Sequence, residues 1–284
     1  MSRILIIGNG FLGSHLFHEA KINQFDVFVT YCHSKSEKFI PLDITNEKSI
    51  IDCFETIKPN IVINCAANTD IDFLEKNPDI AYAINANAVK NIAKISNDYD
   101  FKLIQISTDS VFDGKRGMYV ETDSTNPINI YAQSKLYGEE FVKKYSKNYL
   151  ILRTNFYGYN NEGKHFFNWI LSNLKNNKPI IGFDDIIFNP LEVSNLSKII
   201  LEISLSRHVG IFHLSSNEFF SKYQFALKIA EHLGKNKDLI KKGSIEDIDL
   251  PAKRPKNTTL NNEKLKRILY TPITTLDDWL KNYQ

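Results

Sequence analysis

The chain has 284 residues, 43% of them hydrophobic, and a formal net charge of +2. That length can bury a large core and suits one large α/β domain with a smaller lobe, and near-neutral charge gives no footing for nucleic acid or an anionic membrane as partner. No apolar run approaches the ~20 residues of a membrane helix, Ile4–Ile7 is too short for a secretory leader core, and the scattered Cys32, Cys53 and Cys65 read as free thiols in a reducing cytoplasm.

In chain order, Arg3–Ile7 is a short β-rich run. It leads into Gly8-Asn9-Gly10-Phe11-Leu12-Gly13 and a helical stretch to about Lys21. A Gly-x-Gly-x-x-Gly string between a strand and a helix is the setting of a dinucleotide-binding loop. Gly8 allows the tight turn, Gly10 lets backbone approach a pyrophosphate, and Gly13 lets helix and strand pack closely. The helix N-terminus, with Phe11 and Leu12 in the loop, supplies amide donors to the phosphates.

Asp26–Tyr31 predicts a second strand, followed by Cys32-His33-Ser34-Lys35. A site for NAD usually places an acid there to hold the ribose 2′-hydroxyl. None is present, and Ser34, Lys35 and His33 could accept a 2′-phosphate instead. The expected cofactor is therefore NADP, with NAD still open and a solvated turn as the plainer reading of His33 and Lys35. After a third short strand, Asp43 beside Ile44 could reach the adenine amino group, or could serve only as a turn acid.

Ile61–Cys65 and Lys102–Ser107 are near-continuous apolar runs, as expected of strands buried on both faces. Pro78–Asn97 has helical periodicity through Ala81, Ile84, Ala88, Ile92 and Ile95. Asn129–Tyr145 predicts a helix and Tyr149–Thr154 a strand. This alternation predicts an α/β fold, a Rossmann-type doubly wound parallel sheet with helices on both faces.

The pattern loosens after about residue 155, where helices are expected at 163–176, 193–205, 221–233 and 274–282. Residues 1–158 are read as the dinucleotide-binding domain carrying the catalytic residues. Residues 159–284 are read as mainly a smaller α/β substrate lobe, with some segments returning to the core. Trp169 and Trp279 sit in apolar helical patterns and read as core. The lysine-rich stretch from Lys235 to Lys256 reads as surface loop, with Arg254 the residue best suited to meet a substrate phosphate. The histidines show no metal spacing, so no catalytic metal is expected.

The chemistry concentrates in Ser107-Thr108-Asp109-Ser110 and Tyr131-Ala132-Gln133-Ser134-Lys135. Tyr131 and Lys135 are four apart and share a helix face. The Lys135 ammonium is expected to lower the tyrosine from ~10 toward working pH. Tyr131 can then protonate a carbonyl oxygen as hydride reaches the carbon. Lys135 can also bind the nicotinamide ribose, and both residues count among the expected cofactor contacts. Thr108, at a strand's carboxyl end, can orient that oxygen.

With these residues in view, the chain resembles the extended short-chain dehydrogenase/reductases, and within them the dTDP-4-dehydrorhamnose reductase group. The resemblance rests on Gly8–Gly13, Lys58–Asp70, Asn85, Ser107–Gly114, Tyr131–Glu139, Leu152-Arg153-Thr154 and Arg254–Asn257. It is dense up to residue 158 and thin beyond. It implies a triad of Thr108, Tyr131 and Lys135, cofactor contacts from Ala66, Ala67 and Thr69, and a nucleotide-sugar substrate held by the C-terminal lobe. Near the sugar it implies Asp109, Ser110 and Phe156.

Ser110 replaces the tyrosine usual in the group, and Phe156 stands for a common tryptophan. Dehydration is disfavoured because the acid pair it needs is broken at Ser110. The implied activity is NAD(P)H-dependent reduction of a nucleoside-diphosphate 4-keto-6-deoxysugar for polysaccharide synthesis. A non-catalytic dinucleotide-binding regulatory subunit and a sugar-nucleotide epimerase stay open as alternatives, as does a homodimer through the helix Asn129–Tyr145.

Overall fold

The computed structural model describes residues 2–32, 39–159 and 165–283. In chain order its first half runs β1 (Arg3–Ile7), α1 (Phe11–Ile22), β2 (Asp26–Tyr31), β3 (Ile40–Pro41), α2 (Glu47–Ile57), β4 (Ile61–Asn64), α3 (Ile71–Lys76), α4 (Pro78–Tyr82), a π-helical turn (Ala83–Asn87), α5 (Ala88–Ile95), β5 (Lys102–Thr108), α6 (Ile130–Tyr145) and β6 (Tyr149–Thr154). The second half runs β7 (Phe156–Tyr157), α7 (Phe166–Lys175), β8 (Ile180–Phe183), β9 (Ile187–Phe188), β10 (Leu191–Glu192), α8 (Val193–Leu205), β11 (Gly210–Leu214), β12 (Phe220–Ser221), α9 (Lys222–His232), β13 (Ile240–Gly243), α10 (Glu263–Lys266) and α11 (Leu276–Asn282).

Seven strands form one parallel sheet in the order β11-β6-β5-β4-β1-β2-β3. Alternation along each strand divides the core. Ile4, Ile6, Ile63, Ile104 and Leu152 face a layer with Leu16 of α1 and Leu196 and Ile200 of α8. Leu5, Ile7, Val62, Leu103 and Ile151 face Phe54 of α2, Ile92 of α5 and Val142 of α6. This is the doubly wound α/β sheet that the sequence predicts. The strand order reverses beside β1, which lies between β2 and β4. The crevice at the carboxyl ends of such neighbours is where this class of sheet takes ligands.

The second half contributes to both regions. β11 pairs with β6 and extends the main sheet, and α8 packs on α1. A separate apolar cluster of Phe167, Leu174, Phe188, Phe225, Ile229 and Leu280 holds α7, α9 and α11 together. β8 pairs with β13, and β9 with β12. The lysine-rich stretch therefore includes a strand.

Some elements differ from the sequence-based expectations. The expected helix Pro78–Asn97 is interrupted by the π-helical turn. Helices α2 and α3 appear where none was expected. Trp169 is 43% exposed, on the outer face of α7, where core was expected. Among the described residues no helix is long and apolar enough to cross a membrane.

Candidate active site

The glycine loop closes around β1. Gly8 has φ +94°, a region other residues rarely adopt. A Cβ on Gly13 would lie 1.9 Å from the Gly8 carbonyl oxygen, so that turn of α1 accepts only glycine. Around Gly10 nothing lies within 4 Å of an added Cβ, which leaves open space at the mouth of the loop. Gly10 caps α1 with no side-chain hydrogen bond, and the first turn contains no acid. The amides and positive end of a twelve-residue helix thus face that space. This cradle fits a dinucleotide pyrophosphate. Phe11 stacks on His165 at 4.5 Å, and Leu12 is buried beneath.

On the other side of the crevice, Ala66 and Ala67 follow β4. The loop is fixed from beneath by Asn85 of the π-helical turn, which accepts from Asn68 N (3.0 Å) and donates to Asn68 O (3.0 Å). Asn85 also donates to Ser134 Oγ on α6 (3.1 Å). Thr69 is exposed at the rim. Asp43 is exposed as well and accepts from Thr45 N (2.9 Å) and Thr45 Oγ1 (2.6 Å), while Ile44 is buried. The Asp43 charge raises the Cys32 thiol, second to burial, which locates that carboxylate near the end of β2. His33, Ser34 and Lys35 lie outside the described residues.

Thr108, Tyr131 and Lys135 meet at the carboxyl end of β5. Asn129 caps α6 by accepting from Ala132 N (2.9 Å). Lys135 is buried and donates to Ile106 O at 2.7 Å. Burial lowers its ammonium to about 8, against the opposing pull of Glu139 and Cys65. Burial pushes the Tyr131 phenol up to about 12, a hydrogen bond with Thr108 works against that, and Asp109 adds to it. The expected lowering of Tyr131 by Lys135 is not what this arrangement produces. The Lys135 ammonium is turned to the Ile106 carbonyl, and loss of water around the phenol dominates.

Thr108 Oγ1 donates to Asp109 Oδ1 at 3.1 Å and also lies within reach of Tyr131. Asp109 is 3% exposed and saturated. Its Oδ1 also accepts from Ser110 Oγ (3.2 Å), and its Oδ2 accepts from Asn155 Nδ2 (3.0 Å) and Thr258 Oγ1 (2.6 Å). Phe156 lies 5.9 Å from Phe11, beside the glycine loop. Arg254 donates to Asp72 Oδ2 (2.8 Å) and Ala252 O (2.7 Å), so its guanidinium joins the C-terminal segment to α3.

Beneath the site lies a buried cluster to which the sequence reading assigned no role. Glu139 accepts from Ser107 Oγ (2.5 Å) and from Arg153 Nη2 (2.7 Å) and Nε (3.0 Å). Arg153 lies over the Phe112 ring and beside His213. Glu139 and Arg153 sit in the recognisable strings Tyr131–Glu139 and Leu152–Thr154. Asn155, directly after Leu152–Thr154, and Thr258, from a distant part of the chain, were also missed.

The model for the RmlD substrate binding domain matches residues 2–283. Among similar proteins, "Probable low-salt glycan biosynthesis reductase Agl14" of Haloferax volcanii is 33% identical over 95% of this chain and 93% of its own. The dTDP-4-dehydrorhamnose reductase of Escherichia coli K12 is 29% identical over 84% of this chain and 82% of its own. Among solved structures, a dTDP-4-dehydrorhamnose reductase from Bacillus anthracis in complex with NADP has a TM-score of 0.88 at 32% identity, covering 99% of this chain and 98% of that one.

Proposed function

The chain belongs to the family of the RmlD substrate binding domain, and from that premise we propose that it is a reductase of a nucleoside-diphosphate 4-keto-6-deoxysugar. dTDP-4-dehydrorhamnose is the first substrate to test, and polysaccharide synthesis is the setting. The observation that carries this reading is the convergence of Thr108, Tyr131 and Lys135 beside the cradle at Gly8–Gly13. The solved relative from Bacillus anthracis holds NADP, and the lack of an acid in Cys32–Lys35, directly after β2, favours the same cofactor here.

When bound, the reduced nicotinamide supplies hydride to the keto carbon. The chain's own residues handle the oxygen and its proton. At neutral pH the Tyr131 phenol is protonated, its pKa standing at about 12. It is therefore loaded as a general acid. The Thr108 hydroxyl has one hydrogen, held by Asp109 in this structure. Turning it to the substrate oxygen orients the carbonyl, and Asp109 loses little because three other donors remain. Lys135, with its pKa at about 8, is mostly ammonium at neutral pH and is assigned to the nicotinamide ribose rather than to the phenol. The Ser110 hydroxyl and the Phe156 ring are assigned to the sugar. Three unpaired cysteines suit a cytoplasmic enzyme, and a homodimer would use α6, where Tyr137 is exposed.

The test is loss of NADPH absorbance with dTDP-4-dehydrorhamnose and with its GDP and UDP counterparts. Turnover on one of them is expected, with NADPH preferred over NADH. Tight NADPH binding without turnover on any substrate would favour the regulatory-subunit reading. Tyr131→Phe is expected to lower kcat by about two orders of magnitude, the size of a lost general acid, with NADPH affinity kept.

A further inference from the structure

We propose that Lys222 binds the sugar of the substrate, donating hydrogen bonds from its ammonium to sugar hydroxyls. The proposal deepens the reductase reading and rests on it. Lys222 opens α9, where Ser221 and Gln224 cap each other and Lys222 N donates to Ile186 O at 3.0 Å. Its side chain is only partly exposed. The ammonium lies 3.4 Å from the centre of the Phe188 ring and 4.3 Å from that of Phe166. Among the described residues it has no hydrogen-bond acceptor and no ion pair. Other sheltered lysines are partnered: Lys135 donates to Ile106 O, and Lys102 donates to Ser206 O at 2.7 Å.

An ammonium removed from water with its donors unfilled is costly, and ring faces satisfy only part of it. Burial lowers it to about 8, with Asp109 as the one charge pulling the other way. Asp109 thus lies within electrostatic reach, yet its oxygens are occupied by Thr108, Ser110, Asn155 and Thr258. Phe188 follows Ile187, whose carbonyl accepts from Thr258 N at 3.1 Å, and Thr258 Oγ1 donates to Asp109, so the ring under the ammonium belongs to a strand tied to the residue adjoining Thr108, close to where the keto carbon must lie. The Asp109 carboxylate makes this end unfavourable for a diphosphate. Sugar hydroxyls are neutral acceptors, and the two phenyl rings offer a surface for the sugar's C–H faces.

The test is Lys222→Met, which keeps the stem against both rings and removes the charge. Calorimetric titrations with dTDP-rhamnose and with dTDP, each in the presence of NADP, read the two parts of the ligand separately. Loss of hydrogen bonds from a charged donor predicts about a 10- to 100-fold weaker affinity for dTDP-rhamnose. Affinities for dTDP and NADPH should be unchanged. Equal weakening toward dTDP would move Lys222 to the nucleotide end and overturn the proposal. Unchanged binding of both ligands, with only a lower thermal midpoint, would make Lys222 a structural cation and also overturn it. A wild type that binds dTDP-rhamnose more tightly than dTDP but turns over no keto-sugar would defeat the reductase reading, while the Lys222→Met comparison still decides the residue's role. A wild type that binds both ligands equally would overturn the sugar contact, and turnover would then decide the reductase reading by itself.

Discussion

Glu139 and Arg153 form an ion pair whose side chains are 0% and 2% exposed. Such a pair adds little over a well-packed apolar pair, but losing one partner is severe. Arg153→Met leaves the Glu139 carboxylate buried without its cation, and should cost about 3–5 kcal/mol in urea unfolding. The neighbouring His213 is held down to about 3 from 6.5, first by burial and then by the Arg153 charge. Its pKa is depressed in the folded state, so the unfolded chain takes up the proton first. Stability is full above pH 6.5 and is lost as pH falls from there toward 3. His213→Gln should flatten that decline by at most ~1.4 kcal/mol per pH unit, read as urea midpoints at neutral and mildly acid pH. Thr108, Tyr131 and Lys135 were legible in the sequence because strand end and helix face are local patterns. The protonation of Tyr131 was not, because it is set by how much water the whole fold removes.

The π-helical turn at Ala83–Asn87 packs against α6 where Gly138 leaves no side chain. A Cβ at Gly138 would come 2.5 Å from the Asn85 carbonyl oxygen. Gly138→Ala should therefore push the two elements apart, costing about 1–3 kcal/mol as overpacking does. Because Asn85 holds the Ala66–Thr69 loop, NADPH affinity should fall with the thermal midpoint. An unchanged NADPH affinity would count against that coupling. Strands β1, β4 and β5 were readable because residues buried on both faces give unbroken apolar runs. The π turn was not, since one extra residue per turn hardly alters the apolar spacing over Ala81–Ile95. Helix α2 has Ile50, Cys53, Phe54 and Ile57 on its buried face. That is a helical pattern, carried by residues that a strand would also accept.

At the scale of the molecule, the segment 252–262 ties the halves together. Thr258 reaches Asp109, Asn257 N donates to Gly114 O at 2.9 Å, and Asn189 donates to Leu260 O at 2.8 Å. Thr258→Val removes the shortest hydrogen bond to Asp109 at almost constant volume. It should lower kcat/KM several-fold while NADPH affinity stays constant, since the carboxylate that holds Thr108 is loosened. No local pattern announced Thr258, because it reaches Asp109 through a long excursion of the chain.

The same long return has a consequence for synthesis. β11, at Gly210–Leu214, covers the free edge of β6. On the ribosome, β6 emerges well before its neighbour and waits with a row of unpaired backbone groups. Unpaired edges invite pairing with other chains. A message broken between the codons for Thr154 and Gly210 would therefore yield an aggregating fragment rather than a small working reductase. Slow translation through α8 would lengthen the interval in which a chaperone must guard that edge.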